Sequence, residues 1–92
     1  MEFAVIHTIN DPAGWMEVTS EDHSWPDDFE NPVYVLTPEG DRGICVWRAP
    51  SRDALQSELD RVFGRVAVNE VFPVKVLGWP ASDDTGYQTN EP

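Results

Sequence analysis

Apolar and polar positions alternate without a break from Glu2 to Ile9, with Phe3, Val5, His7 and Ile9 on one side and Glu2, Ala4, Ile6 and Thr8 on the other. A period of two predicts a strand. Asn10 and Asp11 then offer caps, Pro12 suits the first helical position, and a short helix follows with Trp15, Met16 and Thr19 facing inward. The stretch DHSWPDDFENP, Asp22 to Pro32, is polar and proline-broken, so it reads as an irregular loop tacked to the body by Trp25 and Phe29. Val33 to Leu36 is the second strand, and TPEGDR, Thr37 to Arg42, is a turn in which Gly40 can take positive φ.

From Gly43 to Leu77 the pattern reads as strand, helix, strand. Ile44 and Val46 point one way while Cys45, Trp47 and Ala49 point the other, so both faces of the third strand are apolar. Pro50 stops that strand and Ser51 is placed to cap a helix whose Leu55, Leu59, Val62 and Phe63 form one stripe. Gly64 offers a left-handed exit, with Arg61 and Arg65 beside the negative end of the helix dipole. The last strand, about Val68 to Leu77, again carries apolar groups on both sides: Val68, Phe72, Val74 and Val76 against Val71 and Leu77.

Two strands joined through such a helix should be parallel, in a right-handed crossover. The element order predicts an α+β domain over residues 1–79, a ferredoxin-like split βαββαβ with a four-stranded antiparallel sheet in the order 4-1-3-2. Pro73 and Pro32 cannot donate to a ladder and so belong on edge strands, which is where this order puts strands four and two. Residues 80–92, PASDDTGYQTNEP, are too polar for a core and read as a flexible acidic C-terminal tail.

Composition changes the picture in three ways. A chain of 92 residues buries only about 60 to 65% of its extended surface, yet it holds four Trp, four Phe and two Tyr, which points to some rings at an interface. The net charge of −11 argues against a nucleic-acid or anionic-membrane partner, since those affinities come from Lys and Arg; it also suits a salt-rich cytoplasm. One cysteine, Cys45, excludes an internal disulfide, and no apolar run approaches the ~20 residues of a membrane span. With no basic-and-apolar leader at MEFAVIHTIN, the expectation is a cytoplasmic protein.

Helices on one side of the sheet leave the other side bare, while the central strands are apolar on both. That predicts a homodimer packed sheet to sheet, with a pocket between the two sheets. ICVWRAPSRDALQSEL followed by VNEVFPVKVL resembles the dimeric α/β-barrel superfamily of ferredoxin-like domains, and within it small uncharacterised members whose third strand runs into Ala-Pro and an acidic helix. The likeness covers residues 2–77 and rests on structural motifs. That superfamily includes cofactor-free monooxygenases, muconolactone isomerases, stress-response proteins and a nickel-binding member, so the resemblance does not select a function.

Three groups of side chains carry the candidate chemistry. His7, on a central strand, has an imidazole suited to acid, base or ligand duty near neutral pH. Cys45 is expected on the neighbouring strand, and thiolate with imidazole suits a transition metal such as nickel, zinc or copper, with His23 or a second copy completing the set His7, His23, Cys45. His23 also lies among Asp22, Asp27, Asp28 and Glu30, without the spacing of a calcium loop. There is no phosphate-binding glycine loop, nucleophile elbow or Ser-His-Asp signature, and covalent catalysis is not expected. The reading is a dimeric protein that binds a small molecule, or acts as an accessory, through a pocket lined by His7, Tyr34, Cys45 and Trp47, with no cofactor required. The alternatives are a cofactor-independent monooxygenase or isomerase using His7 as acid or base, and a carrier of a divalent transition metal.

Overall fold

The computed structural model describes residues 1–78; the expected acidic tail, 80–92, lies outside them. Within the described residues the order is β1 (Glu2–Ile9), α1 (Pro12–Thr19), β2 (Glu30–Leu36), β3 (Arg42–Arg48), α2 (Arg52–Phe63) and β4 (Ala67–Pro73). The four strands form one antiparallel sheet in the order β2-β3-β1-β4, the predicted order read from its other edge. Both β3 and β4 run antiparallel to β1, which lies between them, so the strands flanking α2 are parallel to each other. This is an α+β architecture consistent with a ferredoxin-like fold.

The edge prolines mark where pairing gives out. Pro73 closes β4 opposite Phe3, so β4 is shorter than the Val68–Leu77 expected; just beyond it Val74 N–H reaches the Glu2 carbonyl, at 3.2 Å. In β2 the register shifts between Glu30 and Val33, around Pro32, as a missing donor favours. Asn31 bridges the shift, its Nδ2 donating to the Val33 and Val46 carbonyls, each at 3.0 Å.

Both helices are capped as their sequences predict. Asp11 accepts from Gly14 N at 3.1 Å ahead of α1, and Ser51 from Ala54 N at 3.1 Å ahead of α2. On α2 the stripe Leu55, Leu59 and Phe63 is buried. Gly40 takes the positive φ, 77°, that its turn requires. Gly64 does not: at φ −63° and ψ −20° it stays right-handed. The chain leaves α2 through a further turn in which Val66 N–H donates to the Phe63 carbonyl at 3.0 Å. In α1 Trp15 turns inward, but Met16 is exposed, because a helix this short presents one residue per turn to the sheet.

Of the two faces that alternation gives β1, the helices cover the one that carries His7. Phe3, Val5, His7 and Ile9 are all buried beneath the helices, together with Cys45 and Trp47 from β3, Ala49 just after it, and Ala67, Asn69 and Val71 from β4. Glutamine and arginine side chains tie α2 to the edge strand: Gln56 Nε2 donates to the Asn69 carbonyl at 2.8 Å and Arg52 Nε to the Val71 carbonyl at 3.1 Å. The opposite face leaves Val35, Ile44, Val68 and Phe72 between 41% and 57% exposed.

Candidate functional site

Strand register assembles the site. His7 stands directly opposite Asn69 on β4 and Gly43 on β3; Cys45, two residues along β3 on the same face, stands between Val5 of β1 and Tyr34 of β2, and Trp47 stands opposite Phe3. Cross-strand partners share a face and lie near 5 Å apart, so His7, Asn69, Cys45, Trp47 and Tyr34 form one contiguous patch. Its roof comes from Trp15 of α1, Phe63 of α2, and Trp25 and Phe29 of the loop before β2. Phe63 is the hinge of this roof, with ring centroids 4.9 Å from Trp15, 5.9 Å from His7 and 6.2 Å from Trp25. Trp25 in turn packs edge-on against Trp47 at 4.9 Å.

Between patch and roof is a pocket of about 290 Å³, with His7, Tyr34, Cys45 and Trp47 among its lining residues. These four meet as lining residues, but not where the sequence placed them. The pocket lies under the helices of one chain, not between two sheets. The reason is the parity of β1, which turns His7 to the same side as the α2 stripe.

Inside the patch the hydrogen bonds run in one direction. Asp60 can only accept, so Asn69 presents its Nδ2 to that carboxylate at 3.0 Å, which turns its Oδ1 toward His7. Asn69 Oδ1 lies 2.7 Å from His7 Nδ1, which must then carry the proton. In a neutral ring that leaves a lone pair on Nε2, 3.2 Å from Cys45 Sγ, and the thiol donates to it.

Burial governs the protonation states. It lowers the His7 pKa below the usual 6.5, outweighing the Asn69 bond, which works the other way. It pushes the Cys45 thiol up to about 12. The polar side-chain groups of Asn31 and Trp47 favour its thiolate, without overcoming that desolvation. Trp47 Nε1 is buried and has no partner within hydrogen-bond distance among the described residues. By contrast, Trp15 Nε1 donates to the Tyr34 hydroxyl at 2.8 Å.

His23 lines the same pocket but is held apart from His7 and Cys45. Its Nε2 donates to the Val18 carbonyl at 2.8 Å, and its ring packs against Trp25 and Phe63. Both nitrogens of His7 are engaged by Asn69 and Cys45. Among the described residues no group of three or more His, Cys, Asp or Glu side chains is placed to hold a metal, and the acidic residues Asp22, Asp27, Asp28 and Glu30 are exposed.

Sequence reasoning passed over Asn69. The available signal was a lone amide between Ala67 and Val71 on an otherwise apolar strand face, a position where a polar group needs a buried partner. From the sequence Trp15, Trp25 and Phe29 read as packing residues; the pocket they roof forms only with the loop in place.

No family model, curated protein or solved structure matches this chain. Among the described residues no helix is long and apolar enough to cross a membrane.

Proposed function

We propose that the chain binds a small, uncharged, flat molecule in the pocket of each protomer, and that two protomers pair through the bare sheet face, as in the dimeric α/β-barrel superfamily. The observation that carries the binding reading is the pocket itself, about 290 Å³ walled by aromatic rings, with the unpartnered Trp47 N–H buried in its wall. That volume is near the lower bound for ligand sites, about 300 Å³. A buried donor without an acceptor costs on the order of 1 to 3 kcal/mol, a cost that a ligand oxygen would relieve. Glu21 and Asp22 line the same pocket, and with a net charge of −11 they disfavour an anion.

A second reading makes the pocket a cofactor-independent active site, an oxygenase or isomerase, with His7 as acid or base. What supports it is a neutral imidazole whose Nε2 lone pair is directed at the pocket-lining Cys45.

Acetophenone tests the binding reading, having one ring and one acceptor oxygen. Titration should give a saturable change in tryptophan emission that Trp47→Phe weakens about tenfold while the fold is retained. No saturable change up to millimolar concentration would end the proposal.

A further inference from the structure

We propose that Cys45 is a nucleophile for acyl transfer, with His7 as its base, Asn69 as the residue that positions His7, and the Trp47 indole N–H as the donor to the developing oxyanion. The inference rests on the pocket being a ligand site and assigns its substrate class: an uncharged acyl ester with a good leaving group. Nothing in the spacing of residues 7, 45, 47 and 69 suggests this; the sheet register brings them together.

Nucleophilic catalysis needs a nucleophile within hydrogen-bond reach of a base that a third group orients. Here Sγ stands 3.2 Å from His7 Nε2, and His7 Nδ1 stands 2.7 Å from Asn69 Oδ1. The orientation extends one step further, because Asp60 accepts from Asn69 Nδ2 at 3.0 Å and fixes which way the amide faces. A packing histidine would be satisfied by either tautomer; this one is held with its lone pair toward the sulfur. Acyl chemistry also needs a donor for the carbonyl oxygen as it gains charge. The Trp47 N–H is buried in the wall of the pocket that Cys45 and His7 also line, and it has no hydrogen-bond partner among the described residues.

In the acylation step, Sγ forms a bond to the acyl carbon while the carbonyl π pair moves onto oxygen, where Trp47 donates to it. The thiol proton passes to His7 Nε2. The oxygen pair then re-forms the carbonyl and expels the leaving group, which takes the proton from Nε2. The thiol and the ester are converted to an S-acyl cysteine and the free alcohol or phenol, with no oxidant or metal required.

Because the sulfur rests as a buried thiol, general alkylating reagents should find it slow, and only a substrate seated in the pocket should gain from the relay. p-Nitrophenyl acetate at neutral pH is the probe. The folded protein should release one equivalent of p-nitrophenol as a burst and gain the mass of one acetyl group on the Cys45 peptide, about 100-fold faster than the same chain in urea. Cys45→Ala should abolish the adduct. Trp47→Phe keeps the ring and should slow acylation by about 100-fold. Asn69→Leu should slow it too, and nitrogen chemical shifts should show His7 losing its single Nδ1–H tautomer. Acetylation elsewhere, or acylation of Cys45 no faster folded than unfolded, would overturn the inference. If acetophenone binds while Cys45 stays unmodified, the nucleophile falls and the binding site stands; if neither is seen, both fall.

Discussion

Asn69 Oδ1 lies 2.7 Å from Nδ1 of His7, across the β1–β4 ladder, and this bond decides which imidazole nitrogen faces Cys45. Remove the acceptor and the ring loses its reason to keep the proton on Nδ1. The consequences for protonation, stability and assembly can each be measured.

His7 is fully buried and its pKa is held below 6.5 by desolvation. The unfolded chain therefore takes up a proton near pH 6.5 that the folded chain refuses. Above pH 6.5 both states are neutral and the full stability is present; below it stability falls, by up to about 1.4 kcal/mol per pH unit from this group, until the folded pKa is reached. Urea unfolding at pH 7.5 and 5.5 reads the loss, and the His7 ring proton shift should stay at its neutral value through pH 6.5. A ring that titrates at or above 6.5 would contradict the burial of this side chain.

Cys45 gives the opposite limb. Its thiol is pushed up to about 12 from 9.0, so the unfolded chain loses a proton first as pH rises. Stability from this group is intact below pH 9 and declines between 9 and about 12. Thiolate absorbance should appear near pH 9 in urea and be absent there in the folded protein. Equal titration curves would show that the sulfur is open to water.

Phe63 joins Trp15, His7, Trp25 and His23 in one aromatic cluster. Truncation to alanine should cost about 3 to 5 kcal/mol. A domain of this length has a total stability on the order of 5 to 14 kcal/mol, so Phe63→Ala should melt far below the parent or fail to fold. Phe63→Leu should retain most of the stability. A melting point for Phe63→Ala within a few degrees of the parent would show that the roof is not packed on the sheet.

On the face opposite the helices, Ile44 sits on β3 between Val35 and Ile6, its cross-strand partners on β2 and β1. If this face joins two protomers, Ile44→Arg should bring a charge into an apolar contact and weaken the dimer by at least about tenfold. Sedimentation velocity at micromolar concentration should show the parent as a dimer and the variant as a folded monomer. A monomeric parent would remove the dimer from the proposed function.

The fold was legible because its signals are local. Strand alternation in Glu2–Ile9, the Ser51 cap, the stripe of Leu55, Leu59 and Phe63, and the prolines at 32 and 73 each act through neighbours a few residues away. Where the local signal was ambiguous the reading drifted. Val74 and Val76 continue the apolar pattern of β4, but pairing stops at Pro73, and Gly64 makes a left-handed exit possible without requiring one. The site was less legible. The chemistry of His7, Tyr34, Cys45 and Trp47 singles them out and they line one pocket, but Asn69 is marked only by its place on an apolar strand face, and nothing local tells that their shared face lies beneath the helices.

The sequence by itself determined the two helices, the four strands and which residues share each strand's face, because periods of 3.6 and 2 are properties of the local backbone. Only the tertiary structure decided that the His7 face is the one beneath the helices. It alone set the register that brings residue 69 and residue 45, from opposite sides, each within reach of residue 7. Those contacts span 62 and 38 residues of chain, and their geometry follows from the packing of whole elements on one another, which no local pattern specifies.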